Sequence, residues 1–550
     1  MKGPPAEILV VGAGTTGLAL ALQAHDHGAR VRIIERRTDL FRPSRAMLMY
    51  PSTLEVLRPL GVTDALLARG ATAASACLHL RSRVVAVGTP QLDLPGTAFP
   101  HLLLIRQADV EAVLSGALEE RGVSVERGTE LVGFRLRPRR ALIRRAEELG
   151  EIPYRYLVGC DGAASLVRGR VGAWRGGDYA QEVLLADLGL RAAGAAAPLQ
   201  RGATHVVAAR QGLLFLFANG EHAPWRMLAT RRADPASLPF APLDAGQPGP
   251  PVPRAALQTL IDAAGLPATI TDVAWSAQVR LQHRLATHFR RGPFFLAGDA
   301  AHLHSPAGGQ GMNAGIQDAL NLGWKLAFGV HAARPSPALL NSYELERRPA
   351  DQQVLRATHA VFWAEAGGHP VAQLARSVLV PLVAPLLPWL MRRRRLMTAG
   401  LRTLSRFGLN YRRSPLSVEG MPRARAGPRP GSRLADTEVT CEGVRVQVHA
   451  LLAAPGVHIL LQAGAADPGV APPGGGTAGV APPGGGTAGV APPGGSPADA
   501  RLHVHRLTDR PGAGVLIVRP DGYVGFRAAS VDLRQIADWL SLVGLGPSRA

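Results

Sequence analysis

An acid and a run of glycines carry the most specific chemistry in this chain. Asp299 stands near the start of the stretch Gly298-Asp299-Ala300-Ala301-His302-Leu303-His304-Ser305-Pro306-Ala307-Gly308-Gly309-Gln310-Gly311-Met312-Asn313. A carboxylate there accepts hydrogen bonds from hydroxyls. Glycines at 308, 309 and 311 let backbone N–H groups approach a ligand closely. The apolar run Phe294–Ala297 reads as a buried strand, and Ile316, Ala319, Leu320, Leu322 and Leu326 recur at helical spacing. Strand, loop and helix in this order aim a helix N-terminus, the positive end of its dipole, at whatever sits by Gly311–Asn313. The loop suits a ligand with hydroxyls at one end and a developing negative charge at the other. A reduced flavin with its ribityl chain is such a ligand. A turn that merely precedes a core helix would need neither Asp299 nor three glycines within four residues.

A second glycine loop lies near the N-terminus. Ile8–Val11 reads as a buried strand, Gly12-Ala13-Gly14-Thr15-Thr16-Gly17 follows at once, and Leu18–His27 reads as a helix before the strand Val31–Glu35. In this context the spacing is a dinucleotide fingerprint. Gly12 allows the tight turn, Gly14 admits a pyrophosphate, and Gly17 lets helix and strand close up. Glu35, 18 residues past Gly17, stands where a carboxylate binds a ribose 2′-hydroxyl, with Arg36 beside it. That acid favours an unphosphorylated adenosine ribose, as in FAD or NAD. Gly474–Gly479 and Gly484–Gly489 match the same pattern but follow Pro-Pro inside a repeat, so neither opens a second dinucleotide fold.

Other chemistry-bearing positions are weaker alone. Tyr156–Val158 leads into Cys160-Asp161-Gly162, which places an acid where a strand meets a helix start. Arg45 suits a phosphate clamp or a solvated surface, and Gln107 suits a cofactor contact or a helix cap. The helices around them are expected over Thr53–Leu60 and Val110–Arg121. His302 and His304 flank the flavin-type loop, and His302 reads as structural.

Composition bounds the rest. The chain has 550 residues, enough for three or four domains, and 47% hydrophobic residues. Its net charge is +20, yet the only lysines are Lys2 and Lys325. The arginines are spread along the chain rather than gathered with aromatics, which argues against a nucleic-acid partner. Cys77, Cys160 and Cys441 form no CxxC or zinc spacing, so no metal is expected and buried reduced thiols are. Ser377–Met391 is shorter than a spanning helix and is broken by three prolines, so no transmembrane segment is expected.

Together GAGTTG with Glu35, the CDG of Cys160–Gly162, and GDAAHLHSPAGGQGMN resemble the class A flavoprotein monooxygenases, the aromatic-hydroxylase family built like p-hydroxybenzoate hydroxylase. The long C-terminal part, with Leu516–Arg527, resembles the phenol hydroxylase and polyketide hydroxylase branch. The resemblance implies FAD, NAD(P)H as co-substrate and O2. It implies insertion of one oxygen into a phenolic or polyketide-type aromatic substrate through a flavin C4a-hydroperoxide. Oxygen insertion of Baeyer–Villiger type and a non-catalytic flavin binder are the alternatives. By position, Gly12, Gly14, Thr16, Gly17, Glu35 and Arg36 would hold the ADP half, and Arg45 and Gln107 would match the family's clamping Arg and Gln. Asp161 and Gly162 would match the motif tied to FAD and NAD(P)H, with Ala164 where many relatives carry arginine. Asp299 would hold the ribityl chain, and Pro306 and Gly309–Asn313 would face the flavin, with the Gly311 and Met312 amides stabilising charge on the reduced ring. A cytoplasmic location is expected, and the family allows a homodimer.

The expected fold is α/β: a Rossmann-type FAD-binding domain, an inserted antiparallel-sheet substrate domain and a C-terminal thioredoxin-like domain without CxxC. Boundaries are expected at residues 1–175, 176–276, 277–400 (second FAD part and helical connector) and 415–550. Val183–Leu188 and Leu213–Phe217 suggest the antiparallel sheet, and Tyr179, Phe215, Phe217 and Trp225 are candidates for an aromatic pocket. One helical region is expected to end at Tyr343–Pro349 and another to run over Ala350–Glu365. The Pro/Gly repeat at 469–498 cannot bury a core and is expected to be a disordered insertion.

Overall fold

The computed structural model describes residues 6–39, 47–72, 75–80, 83–88, 94–192, 199, 203–209, 212–218, 223–232, 249–305, 307–332, 336–366, 389, 393–465, 501–509 and 514–545. The 469–498 repeat and nearly all of Ser377–Met391 lie outside these. The chain forms two compact units, Met1–Gln23, Arg30–Gly323 and Arg347–Phe407 in one, Ala24–Ala29, Trp324–Glu346 and Gly408–Ala550 in the other. Divisions between the units thus fall inside three helices, Thr15–Asp26, Gln310–His331 and Pro337–Ala366.

In the first unit, the strands Phe294–Leu296, Glu148–Gly159, Ala6–Val11, Val31–Glu35 and Val125–Arg127 lie side by side and parallel. Their central residues Ile8, Leu9, Val10, Ile33, Ile34, Leu157, Val158, Phe295 and Leu296 are buried. Strands covered on both faces read as unbroken apolar runs, which is why these were legible. The helix Thr15–Asp26 follows the first strand, and Gln310–His331 follows the last. These helices pack closely because glycine removes the obstruction. A Cβ at Gly323 would lie 2.8 Å from Gln23 Cβ, and one at Gly315 would lie 2.3 Å from Thr16 Oγ1.

The second sheet of this unit runs in the order His302–Leu303, Ala268–Ala286, Trp174–Ala192, Trp225–Arg232, Gly212–Phe217, Thr204–Ala209, Ser75–Leu80 and Arg83–Gly88. It is wider than the 176–276 span suggested, because the hairpin at 75–88 adds two strands through a parallel pairing. The helix Arg254–Ala263 covers one face, where Leu257 and Ile261 pack on Leu184, Leu214, Leu216, Trp225 and Met227. The other face carries Val183, Leu185, Val279, Leu281 and Phe362.

Trp225 thus lies under the helix Arg254–Ala263, while Phe215 and Phe217 alternate with Leu214 and Leu216 and point to the opposite face. The four expected pocket aromatics are split by the sheet. Tyr179 packs with Phe362 on the face opposite that helix.

The two helical regions expected around Pro349 are one helix, Pro337–Ala366, with Pro349 inside it. A proline there removes one amide donor. Buried ion pairs on both sides hold the helix in place: Glu346 meets Lys325 at 2.7 Å and Arg519 at 2.7 Å, and Arg347 meets Asp318 at 2.7 Å.

The second unit is a mixed sheet in which Val457–Gln462 pairs parallel with Leu502–Leu507 and antiparallel with Val515–Val518, which pairs with Val524–Ala528. The helix Leu533–Leu542, capped by the Asp532 carboxylate, buries Ile536, Trp539 and Leu540 against it. Trp324, Phe328 and Leu339 complete that same core.

Candidate functional site

The first three motifs converge because their strands are neighbours. Val11 pairs with Gly159, and Gly159 with Leu296, so the loops beginning at Gly12, Cys160 and Gly298 leave the same end of three adjacent parallel strands. Ligands of open parallel sheets bind at such carboxyl ends. Cys160 N–H donates to Val11 O at 2.8 Å and Ala297 N–H to Gly159 O at 3.0 Å, which locks the three exits together.

The first loop is shaped by glycine. Gly12 has φ +102°, and a Cβ there would lie 2.3 Å from Cys160 O. A Cβ at Gly17 would lie 1.9 Å from Gly12 O. Gly14 is half-buried. Glu35 is buried and braces the loop: Ala13 N–H donates to its Oε2 at 2.9 Å and Arg37 N–H to its Oε1 at 3.1 Å. Arg36 is exposed beside it. Thr16 is a spacer in this structure, its hydroxyl wedged where Cβ atoms at Gly298 and Gly315 would fall.

The second loop holds Asp161. Its Oδ2 accepts from Leu166 N–H at 2.8 Å, while its Oδ1 is buried without a hydrogen-bond partner. Burial pushes the Asp161 pKa up. Gly162 has φ +75° with open space around it. Arg168 ties this loop to the third, donating to Ala163 O at 2.8 Å and Ala300 O at 3.3 Å, with its guanidinium 3.9 Å from the Trp174 ring centroid.

The third loop is held from behind by charges. Asp318 Oδ2 accepts from Gly298 N–H at 3.0 Å and meets His302 Nε2 at 2.6 Å, and its Oδ1 accepts from Arg347 Nε at 2.7 Å. Arg347 also donates to Asp351 at 3.0 Å. Burial opposes charge on Asp318, but Arg347 and His302 outweigh it and hold its carboxyl far below the usual range. Burial also opposes charge on His302, yet Asp351 and Asp318 outweigh it and raise its pKa. Burial pushes Asp351 up to about 6. His302, Asp318 and Asp351 bring ligand atoms within 4.8 Å of one another, but the Arg347 guanidinium already supplies the positive charge between the aspartates. Asp299 itself is exposed at the loop's turn, where its charge adds to the rise of the His302 pKa.

At the helix start, Gly311 faces open space, with nothing within 4 Å of a Cβ placed there, and Met312 is buried. The Asn313 side chain bonds to the protein itself. Its Oδ1 accepts from Tyr50 N–H at 2.9 Å and Thr53 Oγ1 at 2.8 Å, and its Nδ2 donates to Leu48 O and Gly309 O, both at 2.9 Å. It clamps the glycine turn, and the buried Tyr50 hydroxyl donates to Gly308 O. Gln107 begins the helix Gln107–Glu120 and donates to Glu111 at 2.9 Å. Arg45 and Pro306 lie outside the described residues. Sequence reasoning missed Asp318, Arg347, Asp351, Asn313's clamp and Tyr50. Only Arg347 and Asp351, four apart on one helix, left a local signal.

These loops fit a dinucleotide carrying a hydroxylated chain. The cradle has no room for side chains at Gly12 and Gly17, space at Gly311 and Gly162, an unpartnered buried carboxylate oxygen on Asp161 and an exposed carboxylate on Asp299. The class is a single-fingerprint α/β nucleotide-binding protein with a largely antiparallel sheet joined to it.

Residues 5–358 match the FAD binding domain family, and the chain belongs to it. It is 35% identical over 438 residues to the 6-methylpretetramide 4-monooxygenase of Streptomyces rimosus, covering 78% of this chain and 74% of that one. Its fold is that of the anhydrotetracycline hydroxylase from Streptomyces rimosus (TM-score 0.71, 24% identity, 99% of this chain and 100% of that chain). It is also that of aklavinone-11 hydroxylase, solved with FAD and aklavinone (TM-score 0.71, 24% identity, 99% of each chain). This chain is an FAD-dependent monooxygenase.

Proposed function

We propose that the enzyme hydroxylates a polycyclic phenolic substrate of the aromatic-polyketide type, with NAD(P)H and O2 as co-substrates. The observation that carries this reading is the convergence of Gly12, Asp161 and Asp299 on one sheet end, beside a second sheet with an aromatic-bearing face. The monooxygenase relative of similar sequence adds the aromatic-polyketide class. In this reading Gly12, Gly14, Gly17 and Glu35 hold the ADP half of FAD. Asp161 and Asp299 would accept hydrogen bonds from its hydroxyls, and the N–H groups of Gly311 and Met312 would stabilise negative charge on the reduced ring. Bound FAD supplies the electron transfer and oxygen activation, so the chain needs no acid–base triad for those steps. The second unit, in this reading, is thioredoxin-like and redox-silent. Cys441 is a free, buried thiol whose pKa burial raises.

The test is anaerobic reduction of the bound flavin by NADPH and by NADH, with and without a panel of phenols and polycyclic hydroxyquinones. We expect at least one aromatic to speed bleaching of the flavin band severalfold, and aerobic turnover to add one oxygen with the ring intact. An expanded ring in the product would replace hydroxylation with Baeyer–Villiger insertion. Flavin bound but indifferent to every aromatic would favour a binding protein.

A further inference from the structure

Between residues 366 and 418 the chain carries nine arginines and no acid. Four of those arginines stand together at 392–395, directly after the apolar run 377–391. This stretch lies beyond residues 5–358, the span shared with the family. Basic charge set beside apolar chain in one block is the composition of a segment that lies on a lipid surface rather than across it.

The helix Arg394–Leu404 shows which way this charge faces. It packs one narrow stripe, Met397 and Leu401, against Tyr50, Leu94 and Phe407. The opposite row, Leu396, Ala399, Gly400 and Thr403, keeps the spacing of one helix face and is exposed throughout. A helix face turned to water ordinarily carries charged and polar groups. This row carries a leucine, two small residues and a threonine whose hydroxyl donates to Ala399 O at 2.9 Å within the helix. Leu396 is 54% exposed, Leu404 at the row's end 47%, and Trp389 just before the arginines 55%. Arg395 and Arg402, seven apart, flank the row on one side. The Arg393 guanidinium lies 4.4 Å from the Trp389 ring centroid, so charge and ring travel together. The inner stripe is tied to the glycine loop. Gln310 Nε2 donates to Leu404 O at 3.0 Å, and Tyr50 donates to Gly308 O.

We propose that the outer face of this helix, with Trp389, is a docking surface for an anionic lipid bilayer. The arginines meet lipid phosphates. Trp389, Leu396 and Leu404 enter the boundary between headgroups and acyl chains, and the helix lies in the plane of the interface. The apolar area offered by one short helix is small, so the charge of the lipid decides whether the protein binds. The helix that meets the lipid also braces the glycine loop, which sets the flavin-type site beside the bilayer.

The test is flotation of the full-length, FAD-loaded protein with vesicles of phosphatidylcholine alone and of phosphatidylcholine mixed with phosphatidylglycerol. We expect at least about tenfold tighter partitioning onto the anionic vesicles, weakening as salt rises. The triple variant Arg393→Gln, Arg395→Gln, Arg402→Gln should lose at least about tenfold of that binding. The double variant Trp389→Ser, Leu396→Ser should lose severalfold with every charge kept. All these positions are exposed, so both variants should hold the flavin content and Tm of the wild type. A wild type that stays off anionic vesicles, or binds neutral ones as well, overturns the proposal, and that comparison needs no variant. A triple variant that floats like the wild type overturns it too. A double variant that floats like the wild type would mean that charge alone attracts any polyanion, and it would replace the bilayer with a nucleic acid or an acidic protein.

Discussion

Single residues in this site divide into those that face a ligand and those that hold the loops still. In the proposed reading Asp299 belongs to the first kind, because it is exposed at the loop's turn. Asp299→Ala should leave the purified protein largely colourless, with FAD affinity down at least about tenfold, about 1.4 kcal/mol. A variant with full flavin absorbance would remove Asp299 from the ribityl contact. His302 belongs to the second kind. Its pKa is raised in the fold, so its charge stabilises the protein fully below the unfolded value of about 6.5, and that stability is lost as pH rises through the higher folded value. The gap in Tm between wild type and His302→Asn should therefore be wider at about pH 6 than at about pH 9. A gap that does not change with pH would show that His302 acts through packing alone.

Among the elements, the turn from strand to loop at Gly298 is the most exacting. Its φ is +62°, and a Cβ would lie 2.5 Å from Thr16 Oγ1, so any side chain meets both backbone strain and a collision with the first loop. Gly298→Ala should cost about 1–3 kcal/mol from backbone strain, with the collision adding to it. Urea unfolding of the flavin-free protein measures this, and a loss under about 0.5 kcal/mol would mean the two loops are not tightly joined. The helix Gln310–His331 was legible from its apolar spacing, and so was the turn chemistry before it. The continuity of Pro337–Ala366 was not. A proline marks a helix end locally, and only buried pairs from distant segments keep the helix running past it.

For the whole molecule, the second unit is built from both an internal stretch and the C-terminal part of the chain. Trp324, Phe328 and Leu339 sit in the same core as Val457, Ile459, Ile517, Phe526 and Trp539. A chain ending at Phe407 would expose those three side chains, about 1.5–3 kcal/mol each by burial lost. We expect it to be insoluble or to bind little FAD, judged by soluble yield and flavin content. A soluble, yellow, cooperatively melting 1–407 fragment would show that the first unit folds alone. Among the described residues, no helix is long and apolar enough to cross a membrane.

The sequence by itself determined the family, the three glycine-bearing loops and the parallel strands that carry them. Those signals are local: a glycine at a fixed offset, an acid at a strand end, an apolar run between turns. The tertiary structure alone decided what stands behind the loops. Asp318 meets Arg347 across 29 positions, Asn313 meets Tyr50 across 263, and Tyr179 meets His359 across 180. It also decided that Trp225 lies on the far side of the sheet from Phe215 and Phe217. Spacing along a chain fixes which face of its own element a side chain takes. Which element covers that face, and which distant charge meets it, depends on the packing of the whole.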